Sequence, residues 1–310
     1  MRNSLSILKA KAANGLFVCV GLDPDYSKIP LYIKDKHLDE VGAIVEFLKG
    51  IIDATCNVVS AYKPNLAFFE QYGWKGMQAL EEEIIPYMES VAPDVLRIGD
   101  GKRGDIGNTN DAYFKALFNV MKFDAATISP YLGGKANEPF FVDPNKLLFV
   151  LAQTSNQGAE EFQGVYVLPF NPNEKQKVQP FATGGEHALL DNIKEKSMPL
   201  YEYVSSKAVS WSDNIGLVTG APYPGQIADI RKKIGNDKWL LIPGIGAQQA
   251  QIEPALKAGF NDDTSGIIIN VSRSVLYASP DIDYKEAARE EVVRLNNIIS
   301  VCRGNLVDVD

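Results

Sequence analysis

The sequence is poor in the residues that bind transition metals and form disulfide bonds. Its 310 residues include three cysteines, Cys19, Cys56 and Cys302, and two histidines, His37 and His187. An odd number of scattered cysteines indicates reduced thiols rather than a disulfide framework. No cluster of cysteine and histidine has the spacing of a zinc or iron site, so we expect no metal.

Long hydrophobic runs and basic stripes are absent as well. No apolar run reaches the roughly 18 residues that span a membrane, and the N-terminus lacks the apolar core of a signal peptide. The formal net charge is -8, and no stretch rich in lysine and arginine suggests binding to nucleic acid. We therefore expect a cytoplasmic protein that binds neither a membrane nor a nucleic acid, and that holds any anionic ligand through local groups.

Short apolar runs alternate along the chain with longer stretches of helical period, a pattern typical of βαβ units. The runs predict about eight strands, at residues 16–20, 58–62, 95–98, 125–128, 147–152, 215–218, 239–242 and 266–271. The longer stretches predict helices at residues 41–55, 75–90, 109–121, 201–211, 224–234, 247–258 and 284–301. This order favours an α/β fold of the (β/α)8 TIM barrel type. An open doubly wound sheet is the alternative, but no Gly-x-Gly-x-x-Gly motif opens a helix after the first strand.

We expect residues 1–310 to form a single barrel domain. The stretch 154–214 is too long for an ordinary connection and carries several proline and glycine residues. Long connections of this kind are usually functional loops. We therefore predict a long, lid-like insertion after the fifth strand.

A charged segment follows the apolar run 95–98. Four charges fall within six residues, at Asp100, Lys102, Arg103 and Asp105, with glycines between them. The alternation of side chains along a strand places Asp100 and Lys102 on one face at the C-terminal end of the third strand. A lysine beside a carboxylate in a partly dry site stays protonated, and it can then act as a cation and a proton donor. The alternative interpretation is a solvated turn with an incidental ion pair.

A second pattern indicates a phosphate site. In TIM barrels the chemistry lies at the C-terminal ends of the strands, and polar residues follow most of the predicted strands. Gly244 and Gly246 lie where the seventh strand gives way to a helix, so backbone N–H groups could converge there on an anion. Arg273 follows the eighth strand, and arginine can hold phosphate through two parallel hydrogen bonds. A tight turn alone would also explain the two glycines.

Taken in order, these motifs resemble those of orotidine 5'-phosphate decarboxylases, and specifically the longer bacterial subgroup of that family, type 2. The resemblance covers most of the chain and rests on residues 20–24 (Val-Gly-Leu-Asp-Pro), 62–65 (Tyr-Lys-Pro-Asn), 100–107 (Asp-Gly-Lys-Arg-Gly-Asp-Ile-Gly), 154–156 (Thr-Ser-Asn), 243–247 (Pro-Gly-Ile-Gly-Ala) and 272–273 (Ser-Arg). The Asp-x-Lys-x-x-Asp element is the most specific part. The resemblance implies conversion of orotidine 5'-monophosphate to uridine 5'-monophosphate and CO2 without a cofactor, the last step of de novo pyrimidine synthesis.

The resemblance also implies a role for each matching residue. Lys102 would donate the proton to C6, Asp100 and Lys63 would be its charged neighbours, and Asp105 would reach into the site of the other subunit of a homodimer. The implied substrate contacts are Asp23 with the ribose hydroxyls, Ile106 and Thr109 across the dimer interface, Ser155 with the pyrimidine, and Gly246 and Arg273 with the phosphate. Gln248 is a positional candidate for the glutamine that bridges base and phosphate.

Two other functions fit the same residues. A related barrel could decarboxylate a sugar phosphate or run aldol chemistry, with Lys63 or Lys102 as an amine or the carboxylates as magnesium ligands. A catalytically silent barrel could instead bind a phosphate compound as a sensor or scaffold. A mere binder would gain little from so costly a cluster of charges, which favours an enzyme.

Overall fold

The fold is a closed barrel of parallel strands. The computed structural model describes residues 2–169, 196–245 and 252–307. Its strands are β1 (Val18–Leu22), β2 (Ala61–Pro64), β3 (Leu96–Arg103), β4 (Ala125–Ile128), β5 (Leu147–Gln153), β6 (Tyr166–Val167), β7 (Met198–Pro199), β8 (Ile215–Thr219), β9 (Leu240–Pro243) and β10 (Ile267–Val271). Around the barrel the order is β1-β10-β9-β8-β5-β4-β3-β2, and β6 and β7 form a separate antiparallel ribbon. The predicted TIM barrel is thus confirmed, and the open sheet is excluded.

Helices lie between the strands of the barrel. They are α1 (Ser4–Ala13), α2 (Leu31–Lys34), α3 (Glu40–Thr55), α4 (Ala67–Glu70), α5 (Gly73–Gln78), α6 (Ile85–Val91), α7 (Gly107–Phe114), α8 (Gly133–Asn137), α9 (Leu200–Ala208), α10 (Pro224–Ile234), α11 (Ile252–Gly259), α12 (Arg273–Leu276) and α13 (Tyr284–Val307). Turns of π-helix at Ala79–Ile84 and Lys115–Val120 continue α5 into α6 and extend α7. Short 3-10 turns occupy Tyr26–Lys28, Glu138–Phe141 and Ala159–Glu161.

The core lies inside the barrel and between the barrel and its helices. All five residues of β1, β8 and β10 are buried, as expected for parallel strands that are covered on both faces. The helix α3 begins where the Asp39 side chain accepts a hydrogen bond from the Gly42 N–H. Its Phe47 ring stacks on the rings of Tyr277 and Tyr284, with centroids 6.0 and 5.2 Å apart, and this ties α3 to the C-terminal end of the chain.

The eight predicted strands all overlap strands of the barrel, and the predicted helices overlap α3, α5, α6, α7, α9, α10, α11 and α13 where the structure describes them, whereas the short helices α2, α4, α8 and α12 were not predicted. The helix α1 was not predicted, because its buried face is partly polar and includes Ser4 and Lys11. Of the stretch 154–214, residues 170–195 lie outside the described part, so its lid-like role and the single-domain organisation both stay predictions. In the ranges that the structure describes, no helix combines the length and apolar character needed to cross a membrane.

Candidate active site

A cluster of three charged side chains, Lys63, Asp100 and Lys102, lies at the C-terminal ends of β2 and β3. The Lys63 Nζ donates to Asp100 Oδ2 over 2.5 Å, and the Lys102 Nζ donates to Asp100 Oδ1 over 2.7 Å. One carboxylate therefore binds two ammonium groups. The side chains of Lys63 and Asp100 are 6% and 8% exposed, whereas that of Lys102 is 49% exposed. We call these three residues the lysine–aspartate cluster. Strand alternation predicted that Asp100 and Lys102 share a face, and the resemblance implied Lys63 beside them; the structure brings the three side chains into contact.

The backbone reaches this arrangement through an irregularity rather than simple alternation. Gly99 pairs with Ala126 and Arg103 pairs with Ile128, so three residues of β3 stand opposite the single residue Thr127 of β4. Lys102 lies within this bulge with a φ of 47°, in the left-handed region. A residue other than glycine pays about 1–3 kcal/mol for such a conformation, and strain of this kind tends to be found at functional sites.

Thr127 fills the gap that the bulge leaves. Its Oγ1 accepts a hydrogen bond from the Lys102 backbone N–H over 2.9 Å and donates one to Asp100 Oδ1 over 2.8 Å. Sequence reasoning missed this residue. The signal was a lone hydroxyl in an otherwise apolar strand that neighbours the charged segment.

The charges within the cluster stabilise one another. Burial alone would raise the pKa of Asp100, but the ammonium groups of Lys63 and Lys102 outweigh it and lower that pKa well below its ordinary value. Burial alone would lower the pKa of Lys63, but the carboxylates of Asp100 and Asp23 outweigh it and raise that pKa. Both groups are therefore ionised near neutral pH, although both lie out of water.

Asp23 lies beside the cluster, just after β1. Its Oδ2 accepts a hydrogen bond from the Ser272 hydroxyl over 2.7 Å, and its Oδ1 accepts one from the Asn65 N–H over 3.3 Å. The first contact requires glycine at position 21, because a Cβ on Gly21 would lie 2.0 Å from the Ser272 Oγ. Sequence reasoning used Ser272 only as part of a motif. The structure shows that it holds Asp23.

The residues predicted to hold the phosphate lie on the adjoining part of the rim. β9 ends at Pro243 and pairs with β10 through Asn270, so Gly244 and Arg273 follow neighbouring strands. Gly244 has a φ of 95°, and a Cβ there would lie 3.0 Å from the Cβ of Ser155, which follows β5. Arg273 is exposed, and its guanidinium has no ion pair with any described residue. Gly246 and Gln248 lie outside the described residues.

Asp105, Ile106 and Thr109 are not part of the cluster within one chain. The Asp105 carboxylate accepts a hydrogen bond from the neighbouring Ile106 N–H over 2.6 Å, and among the described residues it forms no ion pair. Ile106 is exposed, and Thr109 is half-buried at the start of α7. Among the described residues, no hydrogen bond or ion pair joins the side chains of this group to Lys63 or Lys102 of the same chain.

Within the part of the chain that the structure describes, no group of three or more histidine, cysteine, aspartate or glutamate side chains is arranged to hold a metal ion. The polar groups of the rim are instead two ammonium groups, two carboxylates, a guanidinium and hydroxyls. Such a set can bind an anionic, hydroxylated ligand and can place a cation against one of its atoms.

Comparison with known proteins shows which family the chain belongs to. The model of the orotidine 5'-phosphate decarboxylase / HUMPS family matches residues 17–290. The orotidine 5'-phosphate decarboxylase of Flavobacterium johnsoniae is 40% identical over 281 residues, which cover 90% of each chain. Among solved structures, the OMP decarboxylase of Leishmania donovani has a TM-score of 0.73 and 33% identity, and the match covers 96% of this chain and 98% of that one. The UMP synthase of the same organism has a TM-score of 0.75 and 33% identity, and the match covers 96% of this chain and 57% of that one. The chain therefore belongs to the orotidine 5'-phosphate decarboxylase / HUMPS family.

Proposed function

We propose that this protein converts orotidine 5'-monophosphate to uridine 5'-monophosphate and CO2, with Lys102 as the proton donor to C6. The observation that carries this proposal is the lysine–aspartate cluster, in which one buried carboxylate holds two ammonium groups at the C-terminal rim of the barrel. Relatives of 35–40% identity that are named orotidine 5'-phosphate decarboxylases support the same reaction. We also propose a cytoplasmic location, which the three free thiols support.

The two lysines differ in a way that favours Lys102 as the donor. Lys63 is almost completely buried, and its raised pKa makes it a poor source of protons. Lys102 is half exposed, so its Nζ can face a ligand in the mouth of the barrel while Asp100 holds it from the other side. Lys63 therefore fixes Asp100, and Lys102 meets the substrate.

The chemistry follows from this placement. The bond between C6 and the carboxylate carbon breaks, CO2 leaves, and the electron pair stays on C6 in the plane of the ring, where resonance cannot delocalise it. The Lys102 ammonium group stabilises this charge as it develops and then transfers a proton to C6, and the resulting amine regains a proton from water. A contribution from repulsion between Asp100 and the substrate carboxylate is a weaker argument.

Contacts remote from C6 are needed as well. Enzymes lower activation barriers by roughly 8–23 kcal/mol. A general acid typically accelerates a reaction by roughly 10²–10⁴-fold, which corresponds to only about 3–5 kcal/mol of that barrier. In this proposal Asp23 binds the ribose hydroxyls, Ser155 the pyrimidine, and Arg273 and Gly246 the phosphate. Binding energy from these groups orders the site around the reacting carbon.

We also propose a homodimer in which Asp105, Ile106 and Thr109 complete the neighbouring site. Three observations support the dimer. Asp105 has no ion pair among the described residues of its own chain, Ile106 is exposed, and an exposed apolar patch adjoins Ile106. The patch comprises Leu132 and Val142, which line one surface depression together with Ile106, and the exposed Tyr131 next to Leu132 in the chain. Contiguous exposed apolar surface of this kind is typical of protein–protein interfaces.

The reaction is tested by following the pyrimidine absorbance with orotidine 5'-monophosphate, with and without EDTA. We expect turnover that EDTA does not affect. Lys102→Ala should fold and lose nearly all activity, since a general acid contributes roughly 10²–10⁴-fold. Lys122→Ala is the matched control, because Lys122 is an exposed lysine that also has a positive φ, of 54°. It should keep activity within about twofold.

Other outcomes would point to other functions. A Lys102→Ala variant with more than about a tenth of the parent turnover would remove Lys102 from its role. Loss of activity in EDTA, or trapping of a carbonyl substrate by borohydride, would favour a sugar phosphate or aldol reaction. No turnover of any of these compounds would leave a silent phosphate binder.

The shared site is tested by mixing two inactive variants, Lys102→Ala and Asp105→Ala. After subunit exchange some dimers contain one intact site, so part of the activity should return. Val142→Asp should convert the dimer to a monomer in sedimentation, whereas Leu38→Asp should not, since Leu38 is an exposed leucine outside the patch. No recovery after verified exchange would contradict the shared site.

A further inference from the structure

The hydroxyl of Thr127 links the two halves of the charged segment. It accepts a hydrogen bond from the Lys102 backbone N–H over 2.9 Å and donates one to Asp100 Oδ1 over 2.8 Å. Asp100 Oδ1 is also the atom that holds the Lys102 ammonium group. One buried oxygen therefore contacts both the backbone of Lys102 and the counter-ion of its side chain.

The bulge in β3 explains why this contact is needed. Asp100, Gly101 and Lys102 stand opposite Thr127 alone, so the regular ladder between β3 and β4 is interrupted there. The Lys102 N–H donates to the side chain of Thr127 at this interruption, and the residue is held in the left-handed region. A strained residue persists only where its surroundings hold it, and here a side chain takes the place of the ladder.

We propose that Thr127 is a positioning residue for the proton donor, which rests on the function proposed above. Its hydroxyl fixes the left-handed backbone of Lys102 and the orientation of the Asp100 carboxylate together, so that the Lys102 Nζ points into the mouth of the barrel. Thr127 does not touch the substrate and acts only through these two residues.

The packing of Thr127 alone does not require a hydroxyl. Valine is β-branched like threonine and has nearly the same shape, so it can occupy the same place in a buried strand. Thr127→Val therefore removes the two hydrogen bonds while keeping the fit. Thr127→Ser keeps the hydroxyl and removes only a methyl group.

Thr219 supplies a matched control within the same barrel. It closes β8, it is fully buried, and its Oγ1 forms no hydrogen bond with any residue that the structure describes. Thr219→Val is thus the same chemical change at a buried strand end, without the loss of a hydrogen bond.

The experiment measures kcat and KM for orotidine 5'-monophosphate, the affinity for uridine 5'-monophosphate and the melting temperature of the parent and the three variants. For Thr127→Val we expect kcat to fall by about 10–100-fold, the upper figure being the effect of misplacing a reacting group by about 1 Å. The affinity for uridine 5'-monophosphate should stay within about twofold, because the ribose and phosphate contacts are untouched. Thr127→Ser should recover most of the lost kcat, and Thr219→Val should match the parent.

Three results would overturn the proposal. The first is an unchanged kcat in Thr127→Val, and the second is a kcat in Thr127→Ser that falls as far as in Thr127→Val. The third is a fall in the kcat of Thr127→Val that is accompanied by an equal loss of affinity for uridine 5'-monophosphate, or that also occurs in Thr219→Val. The last result would assign Thr127 a general structural role. A failure of the proposed function would instead be visible in the parent, which would not turn over orotidine 5'-monophosphate. In that case the melting temperatures would still test the hydroxyl. If Thr127→Val and Thr127→Ser both melted at the temperature of the parent, the hydroxyl would have no role in holding this bulge.

Discussion

Replacing Asp100 by asparagine should destabilise the fold mainly through the group that it leaves behind, the ammonium group of Lys63. That ammonium group donates to Asp100 over 2.5 Å, and its side chain is 6% exposed, so water cannot replace the lost partner. Removing one member of a buried ion pair costs about 3–5 kcal/mol, because the remaining charge is uncompensated. Lys102 adds little to this cost, since it is half exposed and can turn to solvent.

The expected shift in melting temperature follows from the size of the chain. At about 2.1 cal/mol/K per residue, the unfolding entropy of 310 residues is about 0.65 kcal/mol/K. A loss of 3–5 kcal/mol then corresponds to a decrease of about 5–8 °C in Asp100→Asn. The double variant Lys63→Met, Asp100→Asn removes both charges and should regain most of that decrease, because no buried ion is left.

The pH dependence gives the sign of the effect. In the parent, the raised pKa of Lys63 means that its stabilising contribution is complete below the unfolded pKa and is lost only as the pH rises through the folded one. In Asp100→Asn the partly exposed Asp23 is the remaining carboxylate near Lys63. We expect burial to outweigh it and to lower the pKa of Lys63, so the variant gains stability as the pH rises and Lys63 loses its proton. The difference between parent and variant should therefore narrow between pH 7 and pH 10.

The assay is thermal unfolding followed by circular dichroism, at fixed protein concentration because a dimer is proposed. The reasoning would be refuted if Asp100→Asn and the double variant melted at the same temperature. It would also be refuted if the difference in melting temperature between the parent and Asp100→Asn did not change with pH. Either result would mean that the buried charge of Lys63 does not determine the loss.

Two further predictions concern the ligand contacts. Gly21→Ala places a Cβ 2.0 Å from the Ser272 Oγ and should displace that hydroxyl from Asp23. KM for orotidine 5'-monophosphate should then rise about tenfold, the effect of one lost hydrogen bond to a charged group. Gly225→Ala is the control, because its Cβ meets no atom within 4 Å, and it should leave KM unchanged. Equal KM values in two variants that calorimetry shows to be folded would contradict the role of Ser272 in holding Asp23. Arg273→Ala should weaken the binding of uridine 5'-monophosphate more than that of uridine, as measured by titration calorimetry, and equal losses for the two ligands would show that Arg273 does not hold the phosphate.

The course of the chain could be predicted because parallel strands buried on both faces are continuous apolar runs. The ends of the strands were harder to predict. β1 and β2 each continue two residues beyond the predicted runs, and β3 continues through Asp100 to Arg103. Strand pairing extends beyond the apolar runs, in β3 across a bulge, because hydrogen bonding in a strand does not depend on the polarity of the side chain. Hydrophobic periodicity cannot detect that continuation.

The site was predictable in its members and less so in its contacts. The charged residues were visible because charges directly after a buried strand are costly, and the resemblance to a known family gave them roles. The bulge opposite Thr127 depends on a shift in the register of β3 against β4, and the contact between Ser272 and Asp23 joins residues that are 249 apart in the chain. A single sequence carries no direct record of such registers.

The lysine–aspartate cluster links the stability of the barrel to its chemistry in one direction, from the core outward. The buried Lys63 fixes Asp100 through Oδ2, and Asp100 then presents Oδ1 to Thr127 and Lys102. Only the last member reaches the exposed mouth of the barrel. A change at an inner member should therefore lower activity by displacing the Lys102 Nζ, even where the fold recovers. The double variant Lys63→Met, Asp100→Asn separates the effect on stability from the effect on activity. It should regain most of the melting temperature and still fail to decarboxylate, because it keeps Lys102 but lacks the Asp100 carboxylate that holds the Lys102 Nζ in place.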